Sequence, residues 1–122
     1  QLGLLSGPVE EFQKSATAEH NAMLNMLVEE GYLDKAALDD EAANENEIVD
    51  ALYRGLKGSP CKLMAASIVD AVGEKRTQNQ PGTNNEYPNW RIPLADGDGN
   101  VVPLEKLFDE PRLQEITAIM RG

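Results

Sequence analysis

Apolar residues recur at helical spacing near the start of the chain, where Phe12, Ala16, Met23, Leu24, Leu27 and Val28 fall on one stripe. The pattern predicts a long helix from about Pro8 to Glu30. Gly7 is its expected N-cap and Pro8 its first helical residue, with Glu10 and Glu11 placed against the positive end of the helix dipole. Gly31 is the expected stop. His20 lies at a helical position among apolar neighbours, which marks a boundary or core residue rather than a ligand. Asp34 can cap a short turn through Ala36, Ala37 and Leu38, after which Asp39, Asp40 and Glu41 form a solvated acidic connector. Asn44 with Glu47 has the form of a capping box and opens a second helix. Ile48, Val49, Leu52, Tyr53 and Leu56 face inward on it, and Gly58-Ser59-Pro60 ends it.

From Lys62 to Val72 the chain is apolar without a period, so periodicity alone leaves a buried strand and a buried helix both open. Gly73 closes the run. Glu74 to Arg91 then reads as a polar loop, with Tyr87 and Trp90 off any helical spacing. The string Asp96-Gly97-Asp98-Gly99-Asn100 mimics the start of a calcium loop. Its sixth position is Val101 where such a loop has Gly, and its twelfth is Leu107 where it has Glu. A tight turn between two short extended pieces is expected instead. Two short helices should finish the chain: Pro103 to about Phe108, and Glu110 to Arg121 capped by Asp109, with Leu113, Ile116 and Ile119 or Met120 inward. The fold class expected is mainly α. No repeat and no composition shift divides residues 1–122 into domains.

Charge narrows the partners. Eleven basic against 21 acidic residues give a formal charge of -10, the wrong sign for a phosphate backbone or an anionic leaflet. Nucleic acid and membrane are therefore not expected partners. No apolar run approaches the roughly 20 residues needed to span a bilayer, and Gln1 to Gly7 lacks a basic segment ahead of a hydrophobic one. A cytoplasmic location is expected. Cys61 is the only cysteine and His20 the only histidine, so neither a disulfide framework nor a zinc cluster is called for, and no cofactor is expected. Cys61 follows Ser59-Pro60 and leads into the apolar run, which suits a buried, inert thiol; a Cys61–His20 nucleophilic pair is the hydrolase alternative.

The loop Gln78-Asn79-Gln80-Pro81-Gly82-Thr83-Asn84-Asn85-Glu86-Tyr87-Pro88-Asn89-Trp90-Arg91 carries the most specific chemistry. An Asn side chain offers a donor and an acceptor to adjacent sugar hydroxyls, and an aromatic ring offers an apolar face. Pro81 and Gly82 make a sharp bend that can present Asn79 from a rigid position. Asn-x-Pro-Gly-Thr followed by Tyr-Pro-Asn-Trp-Arg resembles the signature near the C-terminus of the amylomaltase or disproportionating-enzyme family of 4-α-glucanotransferases, glycoside hydrolase family 77.

That resemblance implies a fragment from the C-terminal part of a (β/α)8 TIM barrel. Ser59-Pro60-Cys61-Lys62-Leu63 through Asp70 looks like the family's approach into the eighth strand, so that 59–94 holds the last strand and the glucan-site loop. The helices before it fit the pair between the seventh and eighth strands. The implied role of Asn79 is to face the glucan near the cleavage subsite, with Asp70, Pro81, Gly82, Trp90 and Arg91 supporting the loop. A plainer reading of two of these has Trp90 packed under the loop and Arg91 bridging backbone carbonyls. The implied activity is transfer of α-1,4-glucan segments between maltodextrins, with maltodextrin, glycogen or starch as the glucan. It proceeds by retaining double displacement, with one carboxylate as nucleophile and a carboxylic acid as proton donor. Those carboxylates lie on the family's fourth, fifth and seventh strands, N-terminal to this chain. No catalytic residue is therefore assigned here, and the chain alone is expected to be inactive. A barrel fragment also leaves apolar surface uncovered, so self-association is expected. The alternative from another class is a non-catalytic acidic helical interaction module, which would have no reason to retain starch or maltodextrin.

Overall fold

The structure, a computed structural model, describes residues 7–122. It is mainly helical, in the order α1 (Val9–Glu29), a 3-10 helix (Lys35–Asp40), α2 (Glu45–Gly58), α3 (Ile68–Val72), α4 (Leu104–Leu107) and α5 (Pro111–Arg121). The described residues form two compact units: one of Pro8–Ala66 with Glu115–Gly122, the other of Ser67–Gln114 with Gly7. No described helix is long and apolar enough to cross a membrane.

In the first unit α1 ends as its sequence dictates. Gly31 takes φ +77, Gly31 N–H donates to Val28 O, and Tyr32 N–H donates to Leu27 O at 2.9 Å. This is the paired-bond stop that a left-handed glycine permits. It folds the chain back so that Tyr32 and Leu33 return to the helix they have just left. The core there comprises Leu24, Leu27, Leu33, Ala37, Ile48 and Ala51, with Val28, Tyr32, Leu38 and Leu52 packed against it. α2 thus buries the face the periodicity marks out, with Ala51 added to it. Lys57 Nζ donates to the carbonyls of Met120 and Arg121 at 2.9 and 3.3 Å, satisfying the open end of α5.

Several local expectations are corrected. Pro8, with φ -61 and ψ 134, is itself the N-cap of α1, and helical residues begin at Val9. Phe12 and Ala16 are exposed although they lie on the apolar stripe, because no described element covers the helix before Met23. Asn44 makes no capping bond to α2; its amide instead donates to Ala37 O and Asp40 O, tying the connector to the 3-10 helix. Asp34 does cap that helix, accepting from Ala36 N at 2.8 Å. α5 starts at Pro111, one residue beyond the expected start, with Glu110 O accepting from Leu113 N. His20 is a boundary residue in contact with solvent, bonded through Nε2 to Glu41 Oε2 at 2.7 Å. Cys61 is exposed rather than buried, since the segment around it gains no covering neighbour.

The apolar run splits. Lys62–Ser67 has no regular structure and Leu63 is 93% exposed, whereas α3 buries Ala71 and Val72. No strand forms among the described residues, where the one ladder contact is an isolated antiparallel bridge between Ala95 and Val101. An unpaired extended segment has nowhere to place its N–H and C=O groups except water.

Close approach of α2 to Tyr32 depends on missing side chains. A Cβ at Gly55 would lie 3.2 Å from Leu27 Cδ2, and one at Gly58 would fall on the Tyr32 hydroxyl. Gly58→Ala is accordingly expected to lower stability by about 1–3 kcal/mol, because the Tyr32 ring must leave its seat on the core. Chemical denaturation checks this; a stability equal to wild type would mean that the ring swings aside freely.

Candidate functional site

The loop of interest begins where α3 stops. Gly73 ends α3 in the left-handed region at φ +70, and Glu74 N–H donates back to Val69 O. This turn carries the Glu74 carboxylate inward, where its side chain is only 1% exposed. There it holds both ends of the loop. Oε1 accepts from Arg76 N at 2.9 Å and Arg76 Nε at 2.8 Å, while Oε2 accepts from Arg76 Nη2 at 2.6 Å and from Ala95 N at 3.0 Å. Arg76 Nη2 also donates to Pro93 O. The guanidinium that bridges to backbone carbonyl is therefore that of Arg76. Arg91 is exposed, and its guanidinium has no partner among the described residues.

The Arg76 guanidinium, followed by the Arg76 and Ala95 amides, holds the Glu74 carboxyl at about 2, well below its ordinary 4.5. Because the folded value is the depressed one, this contribution to stability is present above about pH 4.5. It is lost as pH falls from there through about 2. Acid titration of the Arg76 and Ala95 amide resonances is expected to show the loop loosening in that window, with Glu74→Gln loosened already at neutral pH. Parallel acid behaviour of wild type and variant would remove Glu74 from this role.

Within the loop, Pro81 and Gly82 form the expected bend: Gly82 has φ +80 and Thr83 N–H donates to Gln80 O at 3.2 Å. Asn89 locks it from the other side. Its Oδ1 accepts from Gln80 N at 2.7 Å and its Nδ2 donates to Thr83 Oγ1 at 3.0 Å and Thr83 O at 3.3 Å. Thr83 Oγ1 in turn donates to Gln80 O at 2.6 Å. Tyr87 OH donates to Thr77 O, and Trp90 N–H donates to Gln78 O at 2.8 Å. Glu86 accepts from Asn84 N at 2.8 Å, which lowers its carboxyl below the usual range, its own and the Asn85 amide adding to the effect.

Asn79 sits between the tied residues Gln78 and Gln80. Its carbonyl accepts from Thr77 Oγ1 at 2.7 Å, while its half-buried side-chain amide has no hydrogen-bond partner among the described residues. The bend thus holds the backbone of Asn79 and leaves its side chain uncommitted. Asp70 lies half-buried on α3, before the loop. Trp90 departs from the packed reading: its side chain is 76% exposed, and its link to the loop runs through its backbone N–H. The sequence pattern singled out Asn79, Pro81, Gly82, Trp90 and Arg91 but not Glu74, Arg76, Thr83 or Asn89. The available signals were the Glu-x-Arg pair directly after Gly73 and an Asn between Pro88 and Trp90.

Beyond the loop, Asp96 closes a tight turn, accepting from Asp98 N, Asn100 N and the Asn100 amide, with Val102 N–H donating to Leu94 O. The Asn100 side chain, then its backbone, holds the Asp96 carboxyl below its usual range. The carboxylate that mimics a calcium ligand here organises its own hairpin. Among the described residues no group of three or more His, Cys, Asp or Glu side chains could hold a metal. A cavity of about 380 Å³ in the first unit is lined by His20, Glu41, Ala42, Glu45, Ile48 and Val49 and holds none of the loop residues.

Comparison with known proteins bears on the loop. The chain is 44% identical over 121 residues to a 4-alpha-glucanotransferase of Mycobacterium tuberculosis, an alignment covering 99% of this chain and 16% of the relative. It is 27% identical over 117 residues to a 4-alpha-glucanotransferase of Haemophilus influenzae, covering 93% of this chain and 16% of that protein. The chain thus spans 16% of the length of these relatives. No solved structure matches it significantly. The family model described as 4-alpha-glucanotransferase matches residues 7–98, which include both long helices and the whole Glu74–Arg91 loop, and the chain accordingly belongs to the 4-alpha-glucanotransferase family.

Proposed function

We propose that this chain is the C-terminal part of a 4-α-glucanotransferase, in which the loop around Asn79 forms one wall of the glucan site. The reaction is transfer of α-1,4-glucan segments between maltodextrins. The observation that carries the reading is the loop itself: a bend clamped by Asn89 and anchored by Glu74 and Arg76, presenting an uncommitted amide at Asn79. A group positioned without a partner among the described residues gives up only water, and no internal bond, when a sugar hydroxyl arrives. Retaining double displacement needs a carboxylate nucleophile and a proton-donating carboxylic acid flanking the scissile bond. In this reading both come from the larger part of the parent protein, in a (β/α)8 barrel whose last strand includes Lys62–Ser67. Asp70, Pro81, Gly82 and the Trp90 backbone keep the loop in shape.

The test compares the complete parent protein with this chain on maltotriose. The parent is expected to release glucose together with longer maltodextrins, and the 122-residue chain is expected to release none. Disproportionation by the purified chain would overturn the division of labour; absence of it in the parent would overturn the function. Separated from its parent, the chain exposes Phe12, Leu63 and Phe108 at 44%, 93% and 68%, apolar surface that favours self-association at high concentration.

A further inference from the structure

We propose that Trp90 is a sugar-stacking platform, its indole face carrying a glucose ring of the α-1,4-glucan next to the ring bonded by Asn79. The proposal rests on the glucanotransferase reading and adds a binding residue to it.

Two independent observations single out Trp90. Its side chain is 76% exposed, so it contributes little to packing. Its backbone has φ +58, the only positive value outside glycine among the described residues. A bulky side chain is disfavoured in the left-handed region, and glycine would sit there without steric cost. Folding of this chain by itself therefore has no use for an indole at this position. The loop nevertheless enforces the conformation: Trp90 N–H is bound to Gln78 O, Arg91 N–H donates to Pro88 O at 3.0 Å, and the preceding Asn89 side chain is fastened to Gln80 and Thr83. Strain held in place by surrounding bonds is characteristic of positions that present a functional group.

The ligand class follows from what lies alongside. The hydrogen bond from Trp90 to Gln78 joins the two sides of the loop at the residue immediately before Asn79. One side offers an amide with donor and acceptor, which matches the hydroxyl rim of a pyranose. The other offers a flat, electron-rich aromatic face, which matches the ring's C–H face. A nucleobase would also stack on an indole, but a chain of net charge -10 repels the phosphates attached to it.

Trp90 is the only tryptophan, so its emission reports this site alone. Titration of the chain with maltoheptaose is expected to shift the tryptophan emission to the blue and to shield it from acrylamide quenching. By calorimetry, Trp90→Gly is expected to weaken maltoheptaose binding by about tenfold or more, with a melting temperature no lower than wild type. Trp90→Phe, which keeps an aromatic face, is expected to retain most of the affinity. Emission and quenching unchanged at the solubility limit of the sugar would overturn the proposal, as expected if Trp90 is instead a seat for protein in the longer parent. A lowered melting temperature in Trp90→Gly would overturn it too, by showing the indole to be a packing element. If calorimetry detects maltoheptaose and Asn79→Ala weakens it while Trp90→Gly does not, Trp90 falls and the Asn79 reading stands.

Discussion

Asn89→Ala is expected to undo the loop and, in the complete enzyme, to lower kcat/KM at least as far as any change at Asn79 itself. The amide of Asn89 satisfies Gln80 N–H and two oxygens of Thr83 across the Pro81-Gly82 bend, in a partly buried setting. Removing it takes the partner from Gln80 N–H and from Thr83 O, at a cost of up to about 1–3 kcal/mol, the range for an unsatisfied buried donor or acceptor. The bend then has only the Thr83 hydroxyl and amide to hold it. Asn79 becomes a mobile side chain on a mobile backbone, and a misplaced binding group loses rate out of proportion to its own contacts. Amide hydrogen exchange checks the structural half: the Gln80 amide should lose protection in the variant chain. Turnover of maltotriose by the variant parent enzyme checks the other half. Unchanged protection at Gln80 would show that the clamp contributes nothing.

Asn79→Ala separates contact from scaffold. With its side-chain amide unpaired among the described residues, truncation removes no internal bond and leaves no apolar cavity, so the melting temperature should stay near that of wild type. On the proposed reading, the same change in the complete enzyme removes a donor and an acceptor from the glucan. A hydrogen bond used in the transition state is worth about 1–3 kcal/mol, or roughly tenfold to more than a hundredfold in kcat/KM. If the contact tightens as the oxocarbenium-like state forms, kcat itself falls; if it is equal in both states, KM alone rises. Full activity with a normal KM would leave Asn79 a scaffold residue only. Together the pair is diagnostic: Asn89→Ala loses order and rate, Asn79→Ala rate alone.

The parts of this molecule that could be read along the chain are those decided within a turn or two of it. Gly31 stops α1 because only a left-handed residue allows Tyr32 and Gly31 to bond back to Leu27 and Val28. Pro81-Gly82 bends because proline presets one angle and glycine permits the next. Asp34 caps a 3-10 turn two residues away, and Asp96 closes a hairpin of its own. Helix periodicity likewise named Ile48 and Tyr53 on the buried face of α2, though not Ala51, and the signature around Asn79 and Trp90 named the family.

What the tertiary structure alone decided is which of these local features are covered and by what. The apolar stripe of α1 takes in Phe12 and Ala16, yet burial begins only near Met23, because burial is a property of the neighbour and not of the stripe. Asn44 has the spacing of a capping residue, but its Nδ2 donates across to Ala37 O and Asp40 O, which fixes the side chain in a rotamer whose Oδ1 caps no amide of α2. Lys62–Ser67 is apolar enough for a strand but stays without regular structure where no strand pairs with it. Glu74 meets Ala95 across 21 residues, and Asn89 meets Gln80 across nine. The same closures turn Trp90 outward in a backbone conformation that no propensity favours. Local torsional preferences and turn chemistry are written residue by residue, whereas partner, exposure and strain arise only when distant segments compete for the same hydrogen bonds and the same apolar surface.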